Sequence, residues 1–342
     1  MSAALPRLGF LGTGWIGRHR LAAIRDAGLA EIVAIADAVP EALDAAAALV
    51  PGARRLPDLD ALLGERLDGV VIATPSAQHA AQALQALRQG VAVFCQKPLG
   101  RDAAEVAAVL QAARQADRLL AVDLSYRGTA AMQRIRALAQ GGALGRIHAV
   151  DLVFHNAYGP DKPWFYDKAQ SGGGCLIDLG VHLLDLAMWV LGFPAVPQAA
   201  GLLQAQGLPL PPDAGEVEDY ATAQLQTAEG TVLRLACSWR LHAGREAVIG
   251  ATFHGTEGGA ALRNIGGSFY DFEAVQLRGT REEVLVSPPD DWGGRAAVDW
   301  ARRLGQGGRF DPAAAELLEV ARLLDRLYGR PSLPALAAVG AG

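Results

Sequence analysis

Near the start of this chain, a glycine-rich turn separates an apolar run from a helical pattern. Residues Arg7–Leu11 are mainly apolar, the turn Gly12-Thr13-Gly14-Trp15-Ile16-Gly17 follows at once, and a helical pattern continues to about Ala27. A second apolar run, Glu31–Ala36, ends in Asp37, 20 positions after Gly17. Together these parts predict a βαβ unit that binds a dinucleotide.

Each glycine of the turn has a physical task in such a unit. Gly12 permits the tight turn, Gly14 lets the backbone approach the pyrophosphate, and Gly17 allows the helix to pack closely on the strand. The helix N-terminus then offers unpaired N–H groups and positive dipole to the phosphates. The remaining turn residues are expected to line the same cofactor, and they are Thr13, Trp15 and Ile16.

The acidic residue that ends the second apolar run bears on the choice of cofactor. Asp37 is placed to accept hydrogen bonds from the adenine ribose and would repel a 2′-phosphate. No cation follows in residues 38–40 to offset that charge. NAD is therefore favoured over NADP. A solvated aspartate at a strand end is the alternative, and it does not account for the spacing.

Strand and helix patterns keep alternating up to about residue 124, which predicts a doubly wound parallel sheet of the Rossmann type. Beyond that point, several β runs separated by turn signals predict a C-terminal α/β domain with an open, mainly antiparallel sheet. The predicted domains are residues 1–124 for the dinucleotide and residues 125–342 for substrate binding and oligomerisation. Helices are expected over Ala130–Gln140, Asp178–Leu191, Arg295–Gly305 and Ala313–Tyr328.

Composition excludes several classes of function. A formal net charge of −5 argues against a nucleic-acid surface. The apolar stretch Leu176–Val196 contains Asp178, His182 and Asp185, which favours a buried helix over a membrane span. Three cysteines without metal-ligand spacing, and no basic segment followed by an apolar one at the start, predict a cytoplasmic protein.

Three further segments of the chain carry chemically distinctive residues. They are Ala73-Thr74-Pro75-Ser76-Ala77-Gln78-His79, Cys95-Gln96-Lys97-Pro98-Leu99 and Ser171-Gly172-Gly173-Gly174-Cys175-Leu176-Ile177-Asp178-Leu179-Gly180-Val181-His182-Leu183-Leu184-Asp185. Together these segments resemble the Gfo/Idh/MocA oxidoreductases, which include glucose-fructose oxidoreductase and inositol dehydrogenases. The resemblance covers nearly the whole chain, and the glycine run with its D-x-G-x-H-x-x-D continuation is its most specific part.

The resemblance implies an active site. Lys97 would hydrogen-bond the reacting oxygen, His182 would exchange its proton, and Asp178 would support both. Cofactor contacts are implied for Thr74, Pro75, His79, Gln96 and Arg127. Tyr126 matches a segment that reaches the site from the second domain. The family usually has glutamate where this chain has Gln96, so Lys97 is expected to deprotonate more readily and to share the role of base.

The chemistry of these side chains agrees with that assignment. Alcohol oxidation needs a proton acceptor, and histidine, with a reference pKa near 6.5, is mostly neutral at physiological pH whereas lysine is charged. Lys97 is then the better electrostatic partner for developing charge on oxygen. Asp178 and His182 are four residues apart, which would place them on one helix face. A metal site built from Asp178, His182 and His155 is the disfavoured alternative.

An aromatic loop over residues 156–170 remains open between two interpretations. It could supply aromatic faces and donors to a polyhydroxylated ligand, or it could be packing beneath the glycine turn. Substrate contacts are expected from Tyr126, Asn156, Trp164 and Tyr166.

The sequence therefore predicts an NAD-dependent oxidoreductase of a small sugar or polyol. The alternatives are an NAD-assisted glycosidase and a non-catalytic NAD-binding regulator of the same family. The exposed sheet face pairs subunits in that family, which implies a homodimer or homotetramer, and an unpaired apolar face would be prone to aggregation.

Overall fold

The computed structural model describes residues 5–211 and 214–331 and contains two sheets. The first sheet is six-stranded and wholly parallel, with strand order β3-β2-β1-β4-β5-β6. Its strands are β1 (Arg7–Leu11), β2 (Glu31–Ala36), β3 (Arg54–Leu56), β4 (Gly69–Ile72), β5 (Ala92–Cys95) and β6 (Leu120–Val122). The predicted doubly wound sheet is confirmed.

Helices cover both faces of this sheet, which is why its central strands are apolar throughout. The helices along this part of the chain are α1 (Trp15–Ala27), α2 (Pro40–Leu49), α3 (Leu59–Leu63), α4 (Ser76–Arg88) and α5 (Ala103–Ala116). The first face is completed by α9 (Arg295–Gly305), whose buried Trp300 packs in one core with Phe10 and Phe94. A helix from late in the chain therefore belongs to the first core, whereas the division at residue 124 stays a prediction.

The second sheet has nine strands in the order β15-β14-β13-β12-β7-β11-β10-β8-β9. All of its pairs are antiparallel except β7 with β11. The mainly antiparallel sheet is thus confirmed. Its strands are β7 (Ile147–Asn156), β8 (Gln198–Ala205), β9 (Leu208–Pro209), β10 (Tyr220–Gln226), β11 (Val232–Ser238), β12 (Ala247–Gly255), β13 (Gly259–Asn264), β14 (Phe272–Arg278) and β15 (Arg281–Val286).

The two faces of the second sheet differ. One face packs in a large apolar core against α6 (Ala130–Gln140), α8 (Val181–Leu191) and α10 (Glu316–Leu327). The opposite face presents residues such as Thr222 and Arg234, and Leu202 on it is 74% exposed. This face is called the open face below.

A regular helix is expected over Asp178–Leu191, but the structure shows an interrupted one. A short α7 (Lys168–Ser171) precedes it, Leu176–Gly180 form a π-helical turn, and only then does α8 begin. The helical stretch Lys168–Leu191 is long and apolar enough to cross a membrane, but 89% of its most apolar window is buried inside the protein. It is a core element of this fold.

Candidate active site

The glycine turn after β1 has no room for side chains. Gly12 has φ +85°, and a Cβ there would lie 2.4 Å from the carbonyl oxygen of Ala73. A Cβ on Gly17 would lie 2.1 Å from the carbonyl oxygen of Gly12. Both positions therefore require glycine, one for its backbone conformation and both for close approach.

The start of α1 is open to an anion. A Cβ built on Gly14 meets nothing within 4 Å, no side chain caps the helix, and its first turn holds no acidic residue. The first N–H groups of a helix lack internal partners, so they can bind phosphate oxygens here. Ile16 and Trp15 line the adjacent cleft, and Trp15 is 60% exposed. The turn thus fits the pyrophosphate of a dinucleotide.

Asp37 holds the same turn. Its Oδ2 accepts hydrogen bonds from the backbone N–H and the hydroxyl of Thr13, the latter at 3.1 Å. Its Oδ1 accepts from the N–H of Val39 at 2.8 Å. Each carboxylate oxygen has further lone pairs, and Asp37 is only half-buried, so it can also accept from a ribose hydroxyl.

A cleft of about 770 Å³ extends from the start of α1 to the glycine run and to the aromatic loop. It brings together the loops after β4, β5 and β6 with the glycine run and the loop before α9. Of the residues predicted from sequence, it is lined by Gly14, Trp15, Ile16, Thr74, Pro75, His79, Gln96, Lys97, Tyr126, Trp164, Asp178 and His182.

Lys97 and Asp178 form an ion pair in this cleft. The Nζ atom of Lys97 donates to Oδ1 and to the backbone carbonyl of Asp178, both at 2.7 Å. The other carboxylate oxygen, Oδ2, accepts from Nε1 of Trp239 at 3.0 Å. The lysine thus has a carboxylate partner even though its neighbour Gln96 is uncharged. Two donors fix the orientation of Asp178.

His182 lies beside this pair but not bonded to it. Its ring is 7% exposed and packs edge-on against Tyr126 at 4.8 Å between ring centres. Burial, and then the charge of Lys97, hold the pKa of His182 well below its ordinary value. The imidazole is therefore neutral near pH 7 and able to accept a proton. The expected pairing of His182 with Asp178 is absent from the hydrogen bonds of the described residues, because the π-turn interrupts regular helical spacing.

A buried glutamate shapes the glycine run. Glu218 accepts hydrogen bonds from the N–H groups of Gly174 and Leu176 and from the Tyr328 hydroxyl at 2.7 Å. A Cβ on Gly174 would lie 1.9 Å from the carbonyl oxygen of Glu218. This network supports the turn that leads into Asp178.

His79 hydrogen-bonds to two of the loops that line the cleft. Its ring nitrogens lie 2.6 Å from the carbonyl oxygen of Thr74 and 2.7 Å from that of Pro98. Burial lowers the pKa of His79. The histidine thus links the Thr74-Pro75 turn to the Lys97-Pro98 turn, and both turns face the cleft.

Gln96 takes part in a second buried polar cluster. Its Nε2 and the Nε of Arg20 both donate to Oδ2 of Asp123 at 2.5 Å. Arg20 and Asp123 form a buried ion pair, and Arg20 also contacts Nδ1 of His19 at 2.9 Å. The Oδ1 atom of Asp123 is buried and has no hydrogen-bond partner among the described residues.

Besides Gly12, Thr13, Gly17 and Asp37 of the turn described above, three predicted ligand residues lie outside the lining of the cleft. Arg127 binds Asp185 with two hydrogen bonds and Glu316 with one, and it faces a separate cavity. Asn156 lies at the end of β7, with its buried Oδ1 unpartnered among the described residues. The hydroxyl of Tyr166 donates to the carbonyl of Pro160.

The disfavoured metal set is not assembled. His155 bonds to the Ser238 hydroxyl at 2.7 Å and stacks on Tyr220, on the open face. Alternation along β7 places Phe154, which contacts His182, on the opposite side. The described residues contain no group of three or more potential ligands able to hold a metal ion.

Several side chains that shape the cleft lie outside the motifs of the sequence. Trp239 and Glu218 lie 61 and 44 residues from the groups they contact, and neither belongs to a recognisable motif. Asp123 directly follows β6, as Asp37 directly follows β2, and that position is the signal that could have indicated it. The remaining additions to the lining include Arg20, Ser125, Lys162, Tyr270, Asp290, Asp291 and Trp292.

The fold and the cleft define a class: a Rossmann-fold oxidoreductase whose second domain closes the site. Comparison with known families agrees. The family described as "Oxidoreductase family, NAD-binding Rossmann fold" matches residues 7–124, and "GFO/IDH/MocA C-terminal domain" matches residues 132–261. The chain belongs to the Gfo/Idh/MocA family of NAD-binding oxidoreductases.

Individual relatives span most of the chain. It is 31% identical to a dTDP-3,4-didehydro-2,6-dideoxy-alpha-D-glucose 3-reductase of Streptomyces violaceoruber, over 93% of each chain. It is 30% identical to an inositol 2-dehydrogenase of Rhizobium meliloti, over 75% of this chain and 76% of that one. Among solved structures, levoglucosan dehydrogenase with NADH and levoglucosan superposes with a TM-score of 0.81 at 23% identity, covering 95% of this chain and 96% of that one.

Proposed function

We propose that this enzyme is a dehydrogenase or reductase acting on a hydroxyl carbon of an uncharged sugar or polyol, with NAD as its cofactor. The observation that carries the proposal is the contact of Lys97 with Asp178 in the cleft that also contains His182 and the mouth of the glycine turn. The names of relatives support the substrate class, because they include reductases and dehydrogenases of sugars and inositol.

Lys97, Asp178 and His182 are assigned separate roles in the reaction. A bound NAD would supply the hydride acceptor or donor for the carbon that carries the reacting oxygen. Lys97, held by Asp178, donates a hydrogen bond to that oxygen and stabilises its developing negative charge. His182, neutral because burial and Lys97 lower its pKa, accepts the hydroxyl proton during oxidation and returns it during reduction. A base placed in this way contributes about 10²–10⁴ in rate.

The preference for NAD over NADP rests on Asp37. Its carboxylate sits beside the turn that would hold the pyrophosphate, and residues 38–40 contain no cation. A 2′-phosphate placed there would meet a negative charge without a compensating arginine or lysine.

The charges of the cleft support an uncharged substrate. Two of the three cations in its lining are held in inner ion pairs, Arg20 with Asp123 and Lys97 with Asp178. The third, Lys162, is exposed and lies 3.2 Å from the exposed carboxylate of Asp161. Asp291 adds negative charge to the wall, whereas Asp290 is paired with Arg295. Within the described residues, the cleft therefore contains no buried arginine or lysine without a carboxylate partner, which disfavours the diphosphate of a nucleotide-linked sugar. A free sugar or polyol meets no such requirement.

The aromatic loop supports the same substrate. The rings of Trp164 and Phe165 stack 3.8 Å apart, and both residues line the cleft. Tyr166 instead packs edge-on against Trp239, so it supports the residue that holds Asp178. The loop thus combines a ligand-facing part with a packing part, and we assign substrate contacts to Trp164 and Tyr126.

The second sheet is proposed to pair subunits through its open face, giving a homodimer or homotetramer in the cytoplasm. Residues 1–124 would form the dinucleotide-binding domain and 125–342 the substrate-binding and oligomerisation domain. The residues beyond 331 lie outside the described part of the chain.

A reduction screen tests the function. NAD⁺ and NADP⁺ are offered side by side with polyols, aldoses, inositols, sugar acids and nucleotide-linked sugars, and absorbance of the reduced nicotinamide is followed. We expect turnover with NAD⁺ and a free sugar or polyol, severe loss in His182→Ala, and full activity in His148→Ala, which changes an exposed histidine on β7.

The same screen separates the proposal from its rivals. Turnover confined to nucleotide-linked sugars would contradict the assignment of an uncharged substrate. Release of an aglycone without net NADH would identify the NAD-assisted glycosidase. Binding of NADH without turnover of any compound would identify a regulator.

A further inference from the structure

The proposed mechanism leaves the buried carboxylate of Asp123 unused. This residue follows β6, is 1% exposed, and lines the cleft. Its two oxygens differ, because Oδ2 accepts from both Arg20 and Gln96 whereas Oδ1 is buried without a partner among the described residues. An unpartnered buried carboxylate oxygen costs free energy that a hydrogen-bond donor would recover.

The position of Asp123 limits what that donor can be. Arg20, which holds Asp123, lies on α1, the helix whose N-terminus is open to the pyrophosphate. The groups next to the pyrophosphate of a dinucleotide are its two riboses. Asp37 follows β2 on one side of β1, whereas Asp123 follows β6 on the other side, beyond β4 and β5. The two carboxylates therefore lie toward opposite halves of the dinucleotide.

The amide of Gln96 complements this carboxylate. Its Nε2 donates to Oδ2, so the neighbouring pair carries one negative charge, which Arg20 balances. A glutamate at position 96 would remove that donor and bring a second carboxylate against the first, which is unfavourable in a buried site. Gln96 thus holds the carboxylate of Asp123 through Oδ2 without adding a second negative charge.

We propose that Asp123 binds the nicotinamide ribose, with Oδ1 accepting a hydrogen bond from a ribose hydroxyl while Arg20 and Gln96 hold Oδ2. The carboxylate for this ribose thus comes from the end of β6 and not from residue 96, next to Lys97. The inference rests on the proposed function only in taking the ligand to be a nicotinamide dinucleotide.

Three ligands test the assignment by calorimetric titration of the whole protein. NADH contains both riboses and the nicotinamide ring, ADP-ribose lacks the ring, and ADP lacks the second ribose as well. In Asp123→Asn a charged acceptor is replaced by a neutral group, so affinity for NADH and for ADP-ribose should fall by about tenfold. Affinity for ADP should change less than about twofold, since ADP makes no contact with that oxygen.

An exchange of the two side chains gives the second measurement. Gln96→Glu should weaken NADH binding, and the double variant Gln96→Glu/Asp123→Asn, with one amide and one carboxylate again in contact, should bind NADH more tightly than Gln96→Glu. Thermal melting checks that each variant is folded, and the exchange remains informative if Asp123→Asn alone does not fold.

The outcomes separate cleanly. Unchanged NADH affinity in a folded Asp123→Asn protein, equal loss for all three ligands, or losses in the double variant that simply add would each overturn the inference. Failure of the unaltered protein to bind NADH would instead overturn the proposed function.

Discussion

Trp239 donates the hydrogen bond that orients the carboxylate behind Lys97, and its removal gives a measurable prediction. Trp239→Phe retains an aromatic ring in a buried position but removes the Nε1 donor, which lies 3.0 Å from Oδ2 of Asp178. A hydrogen bond to a charged group is worth about 1.5–3 kcal/mol. Without this bond the carboxylate can rotate away from Lys97, and the lost free energy then raises the barrier of the reaction. At about 1.4 kcal/mol per factor of ten, kcat should drop by about ten- to hundredfold.

The chain supplies a matched control in Trp300. This indole is also almost fully buried, but its Nε1 has no hydrogen-bond partner among the described residues and it packs in the first core. Trp300→Phe removes the same atoms without removing a bond to the site. Both variants should lower the melting temperature through loss of packing.

The assay is steady-state oxidation of the best substrate from the screen, with kcat and the KM values for substrate and NAD⁺ measured separately. Trp239→Phe should lower kcat and leave the KM for NAD⁺ nearly unchanged, whereas Trp300→Phe should retain kcat. Full kcat in Trp239→Phe, or an equal loss in both variants, would refute the positioning role of Trp239.

Three further predictions follow from buried charges and from the open face. Burial and the Lys97 charge hold the pKa of His182 well below 6.5, so the neutral imidazole persists as pH falls. The acid limb of kcat/KM for alcohol oxidation should therefore lie below pH 6.5, and an inflection above that value would contradict the role of His182 as base. Arg127→Ala leaves the carboxylate of Asp185 buried without its bidentate partner, and chemical denaturation should show a loss of about 3–5 kcal/mol in the free energy of unfolding. NADH affinity should be unchanged in that variant, and a loss above about tenfold would instead support the cofactor contact implied for Arg127. Ala236→Arg places a charge in the middle of the open face, so light scattering should report a smaller assembly, whereas Gln111→Arg on the exposed side of α5 should not change the mass.

Much of the fold could be read from local pattern. The apolar runs over Arg7–Leu11 and Glu31–Ala36 are strands with those bounds, and the helices expected over Ala130–Gln140 and Arg295–Gly305 begin and end as expected. Their signals lie within short stretches of sequence. Strand β3 carried no such signal, because this edge strand is only three residues long and begins with two exposed arginines.

Only part of the candidate site could be predicted from local sequence patterns. Lys97 and His182 lie within motifs, and the structure places both in the cleft. Trp239, which directly follows β11, donates to Asp178 in the π-turn. These elements are far apart in sequence, so no rule of residue spacing predicts the hydrogen bond. Arg127 was assigned to the cofactor through its neighbours in sequence, but its guanidinium binds Asp185, 58 residues away. Which of several partners a long charged side chain takes depends on tertiary packing.

The position of α9 has a consequence for how the chain becomes a protein. Trp300 and Ala297 cover one face of the first sheet beside Phe94, yet they are made some 200 residues after that strand. During synthesis, one apolar face of the first sheet therefore stays exposed to solvent until α9 has been made. A fragment cut after residue 124 would keep that surface permanently exposed and should self-associate unless the missing helix is supplied.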